Sequence, residues 1–167
     1  MSPGVAFGWH VHRAQESWAN KADVKASIVL ALEGGALFAT ISADAAGGIL
    51  SGLSHWRHIA VLTGIAGVFL AIMAAVVSVY PRLPRGIPED STRHLYMIYF
   101  GHVGQWNPSD LTARLKTLTV DEELDALGKQ LVEISRSNYS KLRWLQASLI
   151  LASLGMLTIL AASIGIF

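Results

Sequence analysis

The residues of this chain that could do chemistry do not form a catalytic pattern. His10 and His12 have the spacing of a His-x-His metal pair, but no further ligand type is clustered with them, and a surface or membrane-interface role explains them. The carboxylates within 121–125 lie at a predicted helix start, where the helix dipole accounts for them. Nucleophile elbow, phosphate-binding glycine loop and HExxH are all absent. We therefore expect no enzymatic activity, no metal site and no cofactor.

Glu33 is the one charge within an otherwise apolar segment of spanning length. It lies seven residues beyond Ala26, ~10 Å along a helix axis, which is too deep for a short side chain to reach the membrane interface. We therefore expect it to face protein or water. Two roles stay open: a protonated carboxyl bonded to Thr63 or a backbone carbonyl for packing, or a group that lines an interface that opens.

Three apolar runs predict an integral membrane protein. Residues 59–80 hold 22 residues without a charge, ~33 Å as a helix, against the ~30 Å hydrocarbon core of a bilayer. Residues 145–167 have Gln146 as their only strongly polar side chain, and residues 26–43 can just cross. The composition agrees, with 52% hydrophobic and 15% charged residues and a mean hydropathy of +0.43. The alternative, buried helices of a soluble core, needs more protein than 167 residues provide.

Small residues predict where the spans meet. Gly34 and Gly35 follow Glu33, and the second span offers Gly67, Ala71 and Ala75 at four-residue spacing. Since small residues let helix backbones approach closely, we expect the first two spans to touch there.

The basic residues predict the orientation in the membrane. Arg57 is the only one of the 13 Lys and Arg residues between the first two spans, whereas nine lie between the second and third. Because basic residues near span ends stay cytoplasmic, residues 1–25 and 81–144 should be cytoplasmic, and residues 44–58 and the C-terminus external. We expect residues 1–25 to form an amphipathic helix. We expect no cleavable signal peptide, since charges interrupt the first 25 residues. A net charge of +1 gives no reason to expect nucleic acid as a partner, and the absence of cysteine excludes disulfides.

The region between the second and third spans predicts a small cytoplasmic helical domain. Prolines make 81–90 a connector, and 91–101 is expected to be a helix that 101–106 breaks. Asn107 and Pro108 predict a helix start. Thr119 and Glu122 form a capping-box pattern that begins a helix continuous with the last span. Mostly apolar residues at spacings of 3 or 4 form a stripe along this helix, which predicts that the helix packs on partners along its length. They are Leu124, Leu127, Leu131, Ile134, Asn138, Leu142, Leu145 and Leu149.

Three segments together resemble a known family. They are residues 18–27, which lead into the first span, the Tyr-Phe-Gly-His run at 99–102, and residues 137–141, which lead into the last span. Their order around the same spans is similar to that in the transmembrane Pycsar effectors. The resemblance implies a bacterial inner-membrane protein of antiphage defence that binds a cyclic pyrimidine mononucleotide, cUMP or cCMP, and impairs membrane integrity.

A cyclic mononucleotide site needs a cation, hydroxyl partners and an aromatic slot. Under that resemblance the candidates are Arg93, Tyr96, Tyr99, His102, Asn138, Tyr139 and Lys141. Each has a plain structural alternative: a solvated face or lipid headgroup for the two cations, core packing for the tyrosines, and capping of a turn for His102. Asn138 lies on the apolar stripe, so its amide needs a hydrogen bond, either to a ligand or as a register-setting residue between the helices of an oligomer.

Asp23 and Lys25 are two residues apart, so they cannot pair on one helix face and should contact different neighbours. They are candidates for coupling the cytoplasmic domain to the membrane; the alternative is a cap and a lysine that reaches the interface. Because three spans enclose little space and the stripe lacks a partner, we also expect a homo-oligomer. Two other functions stay open: a membrane-anchored adaptor without nucleotide sensing, and an effector gated by a cyclic oligonucleotide.

Overall fold

Five α-helices make up the part of the chain that the structure describes, and that part contains no strand. In this computed structural model the described residues are 2–45, 47–48, 50–80 and 96–165. The helices are α1 (Pro3–Asp44), α2 (His55–Val79), α3 (Phe100–Val103), α4 (Pro108–Lys116) and α5 (Val120–Ile164). α1, α2 and α5 are long and apolar enough to cross a membrane. The predicted all-α class with three helices of spanning length is confirmed.

Two of the long helices extend well beyond their apolar segments. α1 is one helix of 42 residues, so no break separates the predicted N-terminal helix from the first predicted span. α5 is one helix of 45 residues, as predicted from the capping box onward, and it continues through Gly128. At ~1.5 Å per residue α5 is ~68 Å long, about twice the hydrocarbon thickness of a bilayer.

The chain forms two compact units. Unit 1 consists of Met1–Asn20 and Pro81–Tyr139, and unit 2 consists of Lys21–Tyr80 and Ser140–Phe167. α1 and α5 contribute residues to both units. Each unit therefore has its own packing, which decides where its candidate residues lie.

In unit 2, glycines bring α2 and α5 into close contact. A Cβ atom on Gly64 would lie 2.7 Å from the Gly155 carbonyl oxygen, and one on Gly155 would lie 2.7 Å from the Gly64 oxygen. Nothing lies within 4 Å of a Cβ built on Gly34 or Gly35. The predicted glycine contact between the first two spans is therefore wrong at Gly34 and Gly35. The close approach joins the second and third spans, because Gly155 supplies the matching small residue.

The buried face of α5 in unit 2 differs from the predicted stripe. Leu145, Ser148, Gly155, Ile159 and Ala162 face inward, whereas Leu142 and Leu149 are exposed. Within the chain the stripe is therefore interrupted at these two leucines, and their packing on a partner helix stays a prediction. In a membrane an outward leucine contacts lipid, so hydrophobicity no longer distinguishes inside from outside.

Arg57 closes the end of α5. Its guanidinium donates hydrogen bonds of 2.7 Å to the carbonyl oxygens of Ala162 and Ser163. These carbonyl groups belong to the last turn of α5, where no N–H group of the same helix can bond them. That turn also contains no basic residue of its own. Arg57, the one Lys or Arg residue between the first two predicted spans, thus stabilises the end of α5.

In unit 1 the start of α1 packs on the start of α5. Val5 and Leu127 are buried, and a side chain at Gly8 would collide with Leu127. The Trp9 Nε1 donates to a Glu123 carboxylate oxygen at 3.0 Å. The stripe of α5 is thus used here within the chain itself.

Both predicted helix starts are confirmed. The Asn107 side chain accepts a hydrogen bond from the Ser109 backbone N–H, and Pro108 begins α4. At the start of α5 the Glu122 N–H donates to the Thr119 hydroxyl, and the Thr119 N–H donates to the Glu122 carboxylate at 3.0 Å.

The helix predicted over 91–101 is wrong in its described part. Residues 91–95 lie outside the described residues, residues 96–99 are not α-helical, and α3 begins at Phe100 instead of ending there. The Tyr99 carbonyl accepts hydrogen bonds from the N–H groups of His102 and Val103, which starts a new helix at the point predicted to be a break.

Candidate functional site

Three of the predicted ligand residues come together in unit 1. The Tyr96 and His102 rings are 4.7 Å apart at 87°, and the Tyr99 and His102 rings are 5.2 Å apart at 65°. Both are edge-to-face contacts, which aromatic rings prefer. His102 is only 3% exposed, so it forms the inner side of the group.

Lys129 of α5 completes this group. Its ammonium donates a 2.8 Å hydrogen bond to the Tyr96 hydroxyl and lies 4.0 Å from the centre of that ring. Glu133, one turn later, lies 3.4 Å from the same ammonium. We call Tyr96, Tyr99, His102 and Lys129 the aromatic cluster. It brings a cation, phenol groups and ring surfaces to one place.

The electrostatics keep Lys129 charged. The hydrogen bond with Tyr96 raises the pKa of Lys129 above its ordinary value, and the Glu133 carboxylate acts in the same direction. A protonated lysine at neutral pH can bind an anion such as a phosphodiester.

Gly101 explains the Tyr-Phe-Gly-His run. A Cβ atom at Gly101 would lie 2.5 Å from Tyr99 Cε1, so the absence of a side chain lets the Tyr99 ring fold over the turn. The ring then reaches His102. The Gly101 carbonyl accepts from the Gln105 side chain at 3.0 Å, so Gln105 supplies the capping contact considered for His102.

Of the four remaining ligand candidates, the structure describes Asn138, Tyr139 and Lys141. Arg93 lies outside the described residues. Tyr139 is 66% exposed. The Asn138 amide donates at 3.2 Å to the Gln15 backbone carbonyl, and Gln15 donates to the Ser135 hydroxyl at 2.7 Å. Asn138 thus contacts α1 of its own chain.

Lys141 has an ionic partner in unit 2. Its ammonium donates to both carboxylate oxygens of Asp23, at 2.8 and 3.0 Å. The Lys141 carbonyl accepts from the buried Ser78 hydroxyl at 2.9 Å, which ties α2 to the same point of α5. Asp23 of α1 therefore contacts α5. Lys25, two residues later, is exposed.

Glu33 is buried between α1 and α5. It is 6% exposed, and the Ser148 hydroxyl, which is fully buried, donates to its Oε1 at 2.6 Å. Its Oε2 is buried without a hydrogen-bond partner among the described residues. Thr63 bonds the Ile59 carbonyl of its own helix at 2.9 Å, so the partner predicted for Glu33 is wrong. The expectation that Glu33 avoids lipid agrees with the structure.

Lys129, Gln15 and Ser148 also contact the candidate residues, and the sequence patterns did not indicate them. Lys129 and Gln15 are polar residues on long helices, and no spacing distinguishes them from solvated ones. For Ser148 a signal existed: it lies three residues after Leu145, and that spacing places both on one face of α5.

No curated protein and no solved structure shows significant similarity to the chain. A family model for the Pycsar effector protein domain (PycTM) matches residues 7–167, nearly the whole chain. The chain therefore belongs to the Pycsar effector family, the membrane effectors of antiphage cyclic-nucleotide signalling.

Proposed function

We propose that this protein binds a cyclic pyrimidine mononucleotide, cUMP or cCMP, at the aromatic cluster of unit 1, and that binding makes it impair the inner membrane of the bacterium. The family match over residues 7–167 carries this proposal. The ligand has one phosphodiester charge, a ribose hydroxyl and a base.

The aromatic cluster has groups for each part of such a ligand. Lys129 supplies a positive charge for the phosphodiester, the Tyr96 hydroxyl supplies a hydrogen-bond partner, and the tyrosine rings supply a surface for the base. His102 is a positioning residue, because it is buried and holds both rings.

The response is proposed to pass through α1 and α5. Neither helix ends between its residues of unit 1 and its residues of unit 2. Both helices therefore connect the two units through their own backbone. We also propose that several copies act together, since three helices enclose little space.

The test is direct binding to the full-length protein in detergent. Titration calorimetry with cUMP, cCMP and a cyclic dinucleotide should give saturable binding of a pyrimidine mononucleotide. Tight binding of only the dinucleotide would instead identify a cyclic-oligonucleotide effector. No binding of any of the three would favour the membrane-anchored adaptor.

The same titration tests the cluster. Lys129→Met should weaken binding ~10- to 150-fold, the equivalent of losing a hydrogen bond to a charged group. Lys116→Met is the matched control, because Lys116 is an exposed lysine of α4 in the same unit. Equal affinity of wild type and Lys129→Met would place the ligand elsewhere.

The orientation is tested by labelling. The chain contains no cysteine, so Ser109→Cys and Phe167→Cys each give a single reactive site. We expect an impermeant thiol reagent added to intact cells to label Phe167→Cys and to leave Ser109→Cys unmodified. Labelling of both from the same side would contradict three spans.

A further inference from the structure

We propose that Glu33 selects the ions that pass when the spanning helices of unit 2 separate, and that these ions are cations. This inference rests on the proposed function, because it concerns how the membrane is impaired. It assigns a charge filter to Glu33, with Ser148 as its neighbour.

The first observation is the incomplete bonding of the Glu33 carboxyl. Ser148 satisfies Oε1 at 2.6 Å, while Oε2 is buried without a partner in the described chain. If the carboxyl group is ionised, Oε2 lacks a hydrogen-bond donor, and if Oε2 carries the proton, its O–H lacks an acceptor. In either form an unpaired buried oxygen raises the free energy of the closed arrangement. Water or a cation in that place would satisfy it.

The second observation is the different way in which α1 and α2 are attached to α5. α2 is locked to α5 through Gly64 and Gly155, whose backbones nearly touch. α1 faces α5 through the polar contacts Asp23–Lys141 and Glu33–Ser148, and its own Gly34 and Gly35 make no close contact. We infer that α1 is the helix that moves away from α5. Separation would open a space lined by Glu33 and Ser148.

The third observation concerns the other charges of unit 2. Asp23 and Lys141 neutralise each other, and Arg57 is bonded to the carbonyl groups that end α5. Within the apolar segments that the structure describes, Glu33 is the one acidic or basic side chain. Once hydrated, its carboxylate sets the local potential, which attracts cations and repels anions.

Ion selectivity in planar bilayers tests the charge. Full-length protein, opened with cUMP or cCMP in a potassium chloride gradient, should show a reversal potential close to the equilibrium potential of potassium. Glu33→Gln should lower the ratio of potassium to chloride permeability several-fold, which moves the reversal potential towards zero. Ser153→Ala is the control, since Ser153 is exposed and bonds its own helix; it should behave as wild type.

Cysteine accessibility tests the opening and does not need Glu33 to be changed. Ser148→Cys should resist a charged methanethiosulfonate reagent without nucleotide, because residue 148 is fully buried, and should react when nucleotide is present. Thr63→Cys, which is exposed on the lipid side of α2, should stay unlabelled in both states because lipid excludes the charged reagent.

The outcomes separate this inference from the proposed function. If nucleotide produces no leak through wild-type protein, the proposed function fails. If the leak occurs but Glu33→Gln keeps the wild-type selectivity, or Ser148→Cys reacts equally with and without nucleotide, Glu33 is not the filter. A Glu33→Gln variant that fails to insert leaves the labelling of Ser148→Cys to decide.

Discussion

Lys141 donates to both carboxylate oxygens of Asp23, at 2.8 and 3.0 Å, and so joins a residue shortly before the first apolar segment to a residue shortly before the last one. Lys141 had been a candidate cation for a phosphate. Its charge is balanced by Asp23, so the pair acts as a clamp between α1 and α5 in unit 2.

Breaking this pair should lower stability modestly. Both side chains are partly exposed, so we expect Lys141→Met to cost ~0.2–1 kcal/mol of unfolding free energy, as measured for exposed ion pairs. Thermal unfolding in detergent measures the change. The exchanged double variant Asp23→Lys with Lys141→Asp should recover part of the loss, and Lys25→Met is the control. If the double variant loses as much unfolding free energy as Asp23→Lys and Lys141→Asp lose together, the pair contributes nothing to stability.

Asn138 is expected to act on the folding of unit 1. Asn138→Ala removes its hydrogen bond to the Gln15 carbonyl, which should cost ~0.5–1.5 kcal/mol in unfolding free energy. Calorimetric titration of the folded variant should give wild-type nucleotide affinity. A large loss of nucleotide affinity with unchanged thermal stability would show instead that Asn138 contacts the ligand.

Gly155 should tolerate no side chain. Gly155→Ala places a methyl group 2.7 Å from the Gly64 carbonyl oxygen, so α2 and α5 must move apart, at a cost of ~1–3 kcal/mol for overpacking. Gly34→Ala meets open space and should not destabilise the protein, since alanine is the better helix former. Thermal unfolding of the two variants in one detergent makes the comparison. Equal stability of both variants would argue against the close contact of α2 and α5.

The capping box should make the start of α5 sensitive to acid. The Thr119 N–H first, and then Arg114 at 2.5 Å, lower the pKa of Glu122 from its ordinary value of 4.5 to about 2. Since the folded-state pKa is depressed, the stabilisation is fully present above pH 4.5 and is lost as the pH falls towards 2.

Glu122→Gln measures this contribution. The variant should be less stable than wild type at pH 7, and the difference should shrink between pH 4.5 and about 2. Thermal unfolding followed by circular dichroism at several pH values in this range measures the difference in stability. Asp125→Asn is the control for general loss of negative charge, because Asp125 is exposed and lies after the cap. A difference that stays constant with pH would rule out an ionised Glu122 as its source.

Much of the fold follows from the sequence by itself. The uncharged run at 59–80 is long enough to cross a bilayer and requires a helix, since lipid offers the backbone no hydrogen bonds. The starts of α4 and α5 were predictable because Asn107 and the Thr119 and Glu122 pair satisfy backbone groups within a few residues. Such local interactions depend on neighbouring residues alone.

The tertiary structure decided which helices touch and which polar groups pair. Glu33 and Ser148 are 115 positions apart, and Lys129 and Tyr96 are 33 apart, so no local spacing predicts either pair. In the membrane segments an outward Leu149 and an inward Leu145 are equally apolar, because both lipid and protein interior are apolar surroundings. Sequence periodicity therefore no longer predicts which residues face inward, and the packing is set by the contacts of Gly155 with Gly64 and of Ser148 with Glu33.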